Sequence, residues 1–267
     1  MAKSFVPKPL SRIDLKDFDP DDTDGFDKKS ARAELEKHAL RLDVLQEMLY
    51  AGRKHALLVI LQGMDTAGKD GAIKKVFDAV DSQGVRIASF KAPTSDELAR
   101  DFLWRIHREA PPKGYIGIFN RSQYEDVLIV RVNQLIPRAI WEARYEQINA
   151  FEKLLHDSGT RVLKFFLHIS KDEQKQRLQE RLDDPAKHWK FALGDLDARA
   201  QWDEYMAAYG DALTRCNTEY APWHIVPANK KWFRDLVIAR SIVETLESMG
   251  LAYPKSENDL SKVVIPD

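Results

Sequence analysis

One stretch constrains this chain more than any other. The apolar run ALLVIL at residues 56–61 leads into Gly63-Met64-Asp65-Thr66-Ala67-Gly68-Lys69-Asp70, and a helix-forming segment follows. A continuous apolar run of this length fits a strand buried on both faces of a parallel sheet. Gly63 and Gly68 permit backbone angles that aim successive N–H groups inward at an anion, and the following helix adds its positive N-terminal end. Lys69 contributes a point charge for terminal phosphates. Strand, glycine-bounded loop and helix together specify a phosphate-binding loop. Its candidate contacts are Gly63, Thr66, Ala67, Gly68, Lys69 and Asp70, with Lys74 on the helix beyond.

The loop follows G-x-x-x-x-G-K-[ST] except at its last position, where Asp70 replaces the hydroxyl. Asp65 puts a second carboxylate inside the loop. A carboxylate beside a polyphosphate is repelled by about 1–4 kcal/mol per charge pair. An intervening Mg²⁺, or Mn²⁺ in its place, reverses that sign. Asp65 is therefore read as a ligand to such a cation, direct or through water, or as a base toward the attacking phosphate oxygen. Asp70 suits a helix-capping role better.

Downstream, apolar runs and amphipathic stretches alternate. Further strands are predicted at residues 85–90, 115–119, 161–169 and 223–226. Helices are predicted at 30–52, 71–80, 95–109 with Ser95 as N-cap, through Trp141 to Leu155, at 171–182, in a polar stretch to 217 broken near Pro185, and at 232–249. The alternation implies a parallel sheet with helices on both faces. Residues 1–29, with Pro7, Pro9 and Pro20 and an acidic run, read as an extended arm lying on the surface or on another subunit. Residues 30–267 read as one phosphotransferase domain with a lid at about 171–194.

Ligands of such sheets gather at the carboxyl ends of the strands. The third strand ends in Asn120-Arg121-Ser122-Gln123-Tyr124-Glu125-Asp126. Arg121 is placed to reach the same phosphates as Lys69, and Glu125 or Asp126 to hold metal or nucleotide. A base-and-ribose pocket is expected near Phe90 to Thr94, with Lys91, Pro93, Thr94, Asn120 and Glu125 as its candidates. The basic segment holding Lys171, Lys175, Arg177, Arg181, Lys187 and Lys190 fits a mobile lid that neutralises the transferring phosphoryl group and excludes water.

The 41 basic and 42 acidic residues nearly cancel, which argues against a general nucleic-acid coat. Cys216 is the single cysteine, so no internal disulfide forms. No apolar run approaches the roughly 18–20 residues that span a bilayer, and the N-terminus lacks an apolar signal region. A cytoplasmic protein with no membrane or nucleic-acid partner is the expectation. The histidines lack zinc-ligand spacing.

In combination, GMDTAGKDGAIK, FNRSQYEDVLIVRV, RLQERLDDPAKHWKF and TEYAPWHIVPANKKWF resemble the polyphosphate kinase 2 family, from about Lys54 to Gly250. The resemblance implies a thymidylate-kinase-like P-loop fold: a three-layer α/β sandwich whose five-stranded parallel sheet has order 2-3-1-4-5, with a helical lid. It implies reversible phosphoryl transfer between inorganic polyphosphate and adenine or guanine nucleotides with Mg²⁺, in a homodimer or homotetramer. It places Asp65, Lys69 and Arg121 on Walker positions and Arg177 and Arg181 on lid arginines. Asn120 stands where some relatives carry Asp, which shifts the metal role to Asp65, Glu125 and Asp126. The Tyr-Glu-Asp stretch resembles the subgroup that phosphorylates both AMP and ADP. The competing readings are an ATP-dependent nucleoside monophosphate kinase and a P-loop regulatory switch. Against the switch, Asn229-Lys230-Lys231-Trp232 has Trp where a guanine-reading motif needs Asp.

Overall fold

The computed structural model describes residues 5–256 together with 258, 260, 263, 265 and 266. Residues 1–4 of the expected arm lie outside the described residues.

A long helix, α1 (Lys28–Gly52), precedes the first strand, β1 (Ala56–Gln62), every residue of which is buried. Then follow α2 (Lys69–Val76), β2 (Val85–Ser89), two short helices α3 (Ser95–Leu98) and α4 (Trp104–Arg108), and β3 (Ile116–Asn120). A 3₁₀ segment at Gln123–Val127 leads into α5 (Ile129–Val132), α6 (Arg138–Asp157) and β4 (Thr160–His168). The chain continues through α7 (Lys171–Asp183), a 3₁₀ segment at Pro185–Lys190, α8 (Gly194–Ala200) and α9 (Trp202–Arg215). It closes with β5 (Trp223–Pro227) and α10 (Lys231–Ser248).

The five strands form one parallel sheet of order β2-β3-β1-β4-β5, as expected. Because β1 is central and flanked on both edges, its apolar run is continuous rather than alternating. Its last residues pair level with their neighbours, Leu61 opposite both Asn120 and Phe165. That register sets the loop after β1 beside the loop after β3, and Arg121 N–H donates to the Leu61 carbonyl at 3.0 Å. The described part of the arm packs on its own domain. Ile225 N–H donates to the Phe5 carbonyl (2.9 Å), Asn229 N–H to that of Pro20 (3.1 Å), and the Phe5 ring meets Phe233 edge-on.

Two expected helices differ. The helix expected over 95–109 is two short pieces, because Thr94 and Glu97 form a capping box that starts α3 and its hydrogen bonding ends at Ala99. Thr94, not Ser95, is the N-cap. The helix after the phosphate loop begins two residues earlier than expected, at Lys69, since Gly68 adopts a left-handed conformation (φ 96°) and serves as its N-cap. Among the described residues no helix is long and apolar enough to cross a membrane.

Candidate active site

The loop between β1 and α2 owes its path to its glycines. Gly63 has φ 149°, and a Cβ there would stand 2.8 Å from the Leu167 carbonyl oxygen. Thr66 is held at φ 67°, a conformation that costs a non-glycine residue about 1–3 kcal/mol. Its Oγ1 is buried without a protein hydrogen-bond partner. Lys69 is buried at the start of α2, and its Nζ donates to the carbonyls of Gly63 (2.7 Å) and Met64 (3.3 Å). Burial, and then the charge of Arg121, lower the Lys69 pKa; Asp65, Glu125 and Asp70 oppose them.

Arg121, at the end of β3, donates from Nη2 to Asp65 Oδ1 at 2.6 Å. Burial works against its charge, but Glu125 and Asp65 outweigh that and raise its pKa above the ordinary value. Asn120 donates to Asp70 Oδ1 at 2.6 Å, tying β3 to the first turn of α2. Asp70 thus has a partner across the cleft and is not the cap of its helix.

Two cavities meet at Asp65, Arg121 and Asp195. One, of about 520 Å³, is lined by Lys69, Lys91, Arg121, Arg181 and Lys190, with Asp65, Asp70 and Asp195, and is walled by Phe90 and Trp189. Its five cations outnumber its three carboxylates. The other, of about 380 Å³, is bounded by Glu125, Asn133, Asp197, Tyr205 and Tyr209 as well as Asp65, Asp195 and Arg121. Here four carboxylates face one guanidinium. Burial, followed by the charge of Glu125, pushes the Tyr205 phenol up to about 12 and that of Tyr209 well above its ordinary value. Both hydroxyls are therefore neutral donors at pH 7.

The expected site residues divide by placement. Gly63 lines the second cavity; Thr66, Gly68, Lys69, Asp70, Lys91, Asn120 and Arg181 line the first; Asp65 and Arg121 line both. Glu125 lines the second, on the opposite side of the Asp65–Arg121 pair from Lys91, so the single base-and-ribose pocket expected around Lys91, Pro93, Thr94 and Glu125 is divided. Pro93 and Thr94 are exposed and line neither cavity, and Thr94 is engaged as a cap. Lys74 is exposed on α2 and Lys187 is exposed beside Asp184 (2.8 Å); neither lines the cleft.

Two residues differ outright from their expected settings. Asp126 points away from the cleft, accepting from Arg144 Nη1 at 2.7 Å with Arg105 Nη2 at 4.0 Å. Burial raises its pKa to about 6 against the pull of these arginines. Arg177, expected as a mobile lid cation, is 4% exposed beneath the phosphate loop. Its guanidinium donates to the carbonyls of Thr66 (2.9 Å), Ala228 (2.7 Å) and Asn229 (3.0 Å) and to Glu173 (2.7 Å). With the Ala67 carbonyl at 3.3 Å, five carbonyl and carboxylate partners satisfy it internally, so it is not free to reach into the cleft.

Sequence reading missed Tyr205, Tyr209 and Asp195, whose helices pack over the cleft. The four-residue spacing of the tyrosines marks a common helix face, but nothing in it distinguishes a cleft wall from core. It also missed the support of Glu125. Buried Glu152 on α6 accepts from Gln123 Nε2 (3.0 Å), Tyr124 Oη (2.8 Å) and Lys164 Nζ (2.6 Å), fixing the 3₁₀ segment that carries Glu125. Gln62 then donates to Glu125 Oε1 at 3.1 Å.

Comparison with known proteins agrees with this geometry. The polyphosphate kinase 2 (PPK2) family model matches residues 25–253. A Meiothermus ruber protein named AMP/ADP-polyphosphate phosphotransferase is 54% identical over 98% of this chain and 99% of its own length. A Rhodopseudomonas palustris protein named ADP-polyphosphate phosphotransferase is 46% identical over 81% of this chain and 79% of its own. The crystal structure of polyphosphate kinase 2 from Arthrobacter aurescens TC1 matches with a TM-score of 0.93 and 47% identity, covering 97% of this chain and 94% of that one. With the family model spanning most of the chain, and the sheet order and phosphate loop in place, this protein belongs to the polyphosphate kinase 2 family.

Proposed function

We infer that this protein transfers phosphoryl groups between inorganic polyphosphate and AMP or ADP. The observation that carries the reading is the pair of unlike cavities meeting at Asp65 and Arg121 beside the phosphate loop. A polyphosphate is a line of anions with no ring to grip; it suits the basic cavity of Lys69, Lys91, Arg181 and Lys190. The carboxylate-rich cavity repels such a chain but offers hydrogen-bonding groups for a nucleoside in Glu125, Asn133 and Tyr205. The relatives' names, AMP/ADP- and ADP-polyphosphate phosphotransferase, support this substrate pair.

In the forward direction an oxygen of the nucleotide's terminal phosphate attacks the end phosphorus of polyphosphate. A new P–O bond forms, the bond to the bridging oxygen breaks, and a chain shorter by one phosphate leaves. Charge spreads over the three equatorial oxygens in transit, where Lys69 and Arg121 neutralise it. Arg181 extends that field from the lid. The attacking phosphate is already ionised at pH 7, so the Asp65 carboxylate serves in charge balance rather than as an obligatory base.

Among the described residues no group of three or more His, Cys, Asp or Glu is arranged to hold a metal ion. Mg²⁺ asks for less, since it takes one or two carboxylates and fills its octahedron with water and phosphate oxygens. Asp65 and Glu125, on the wall of one cavity, meet that requirement; Asp126, which lines neither cavity, does not. Held there by Asp65 and Glu125, Mg²⁺ would supply positive charge against the charge of the transferring phosphate. A cytoplasmic dimer or tetramer completes the reading. The test is ATP or ADP formation by purified protein given polyphosphate, Mg²⁺ and either ADP or AMP, with no ATP present. Absence of product, with activity restored by ATP and AMP, would make it an ATP-dependent monophosphate kinase.

A further inference from the structure

The carbonyls of the phosphate loop can be followed one at a time. Those of Gly63 and Met64 accept from Lys69 Nζ. That of Asp65 accepts from Gln174 Nε2 at 3.2 Å. That of Thr66 accepts from Arg177 Nη1 at 2.9 Å. The Ala67 carbonyl accepts from both Arg177 Nη1 (3.3 Å) and Arg234 Nη1 (3.4 Å), and that of Gly68 from the Ala72 N–H (2.9 Å). Three consecutive carbonyls, 65 to 67, are thus held by side chains from α7 and α10.

A trans peptide points its carbonyl and the next N–H in opposite directions. Pulling the Ala67 carbonyl down onto two guanidiniums turns the Gly68 N–H up toward the basic cavity. Gln174 does the same for the Thr66 N–H through the Asp65 carbonyl. The Ala67 N–H is spent within the loop, on the Met64 carbonyl at 3.0 Å. The supports are themselves rigid. Arg234 is 2% exposed and clamped on Asp235 at 2.6 and 2.9 Å, and Arg177 is paired with Glu173. The loop passes directly over Arg234, for a Cβ on Gly68 would stand 2.0 Å from its Nη1. Taking two guanidiniums out of water is unfavourable, a cost that apolar residues would avoid if the loop needed only filling beneath it.

We propose that Gln174, Arg177 and Arg234 are positioning residues for phosphoryl transfer, holding the carbonyl side of the phosphate loop so that its amides face the cleft. None of them touches the phosphates. The proposal rests on residues 63–70 being the phosphate site. It also makes α7 a shared support, with Gln174 and Arg177 anchoring the loop and Arg181 one turn further on lining the basic cavity.

The experiment compares Arg177→Lys, Arg234→Lys and Gln174→Met with Lys69→Ala and Arg181→Ala. It records kcat, KM for polyphosphate and for AMP at low and high salt, and Tm. Lysine keeps the charge but cannot fork between carbonyls. Each lysine variant is expected to lose about ten- to hundred-fold in kcat, with little change in either KM and no added salt dependence. The double lysine variant should lose less than the product of the two, since both arginines act on one carbonyl. Gln174→Met replaces one neutral side chain by another and tests the same row if a lysine variant fails to fold; a several-fold kcat loss is expected. Wild-type kcat in folded variants with lowered Tm would reduce these residues to packing and overturn the proposal. Losses confined to KM for polyphosphate and abolished by salt, as expected of Arg181→Ala, would make them substrate contacts and overturn it equally. Full activity of Lys69→Ala would instead sink the phosphate-site reading itself.

Discussion

Lys69 is buried, yet its two hydrogen bonds are to carbonyls of its own loop, so deleting it disturbs little outside residues 63–69. Lys69→Ala is expected to lower kcat by about 10²–10³-fold or more, as removal of a single preorganised charge-stabilising donor does. Circular dichroism should show the fold intact; a kcat within two- or threefold of wild type would remove Lys69 from the chemistry. The carboxylates separate in the same way. Asp65→Asn and Glu125→Gln are expected to raise the Mg²⁺ concentration for half-maximal rate. Asp126→Asn should leave it unchanged, because Asp126 lines neither cavity. A Mg²⁺ titration of the three variants decides between them, and a shift in Asp126→Asn alone would reverse the assignment. At this scale the sequence was legible where a backbone conformation demands a residue type, as at Gly63 and Gly68. It was not legible for the arginines. Arg177 and Arg181 lie one turn apart on α7 and read alike, but one sits under a loop and donates to five backbone and side-chain acceptors while the other faces a cavity. Burial by backbone carbonyls leaves no periodic trace.

The segment expected as a lid, residues 171–194, runs through α7 and the 3₁₀ segment at Pro185–Lys190 to the start of α8. Its underside holds Arg181, which donates to Asp195 (3.2 Å) and the Lys190 carbonyl (3.0 Å). Lys187 is exposed outside the cleft, and Trp189, which walls the basic cavity, is 78% exposed. Arg181→Ala is expected to raise KM for polyphosphate several-fold at low salt, the difference shrinking as salt screens the cleft within about 8–10 Å. Lys187→Ala should change neither parameter, because its exposed pair with Asp184 is of the kind that contributes little. Initial-rate measurements at two ionic strengths test both. Equal effects of the two variants would return Lys187 to the phosphate track. Strand identities were legible because β1, β3 and β4 are central and predominantly apolar. The helix expected at 95–109 was not, since local capping by Thr94 and Glu97 competes with an apolar pattern that continues past it.

Across the whole molecule, sheet order and the covering of its edge were written at different distances in the sequence. The alternation that implies parallel strands is local, whereas the closure of the β5 edge by Phe5 joins residues more than two hundred positions apart and has no local signature. That edge carries a consequence for acid stability. His224 on β5 is 9% exposed, level with Phe165 on β4, their rings 4.9 Å apart. Burial lowers its pKa to about 4, against the raising influence of the Lys164 and Pro222 backbone. In the unfolded chain the imidazole titrates near its ordinary value of about 6.5. Between those limits the unfolded state binds a proton that the native state refuses, so unfolding is favoured as pH falls through the window. The stabilising contribution is whole above pH 6.5 and is lost progressively down to about 4, by roughly 3 kcal/mol at most. His168, whose pKa burial also lowers, acts in the same direction. Asp126 acts oppositely, because a carboxyl raised to about 6 takes up a proton in the native state first and adds stability as pH falls from 6 toward its ordinary value. The His224 share is therefore read as a difference, from urea unfolding of wild type and His224→Gln at pH 7 and pH 4.5. Wild type is expected to lose more stability between the two pH values than the variant does. Parallel losses in both proteins would mean that His224 accepts its proton without leaving the sheet.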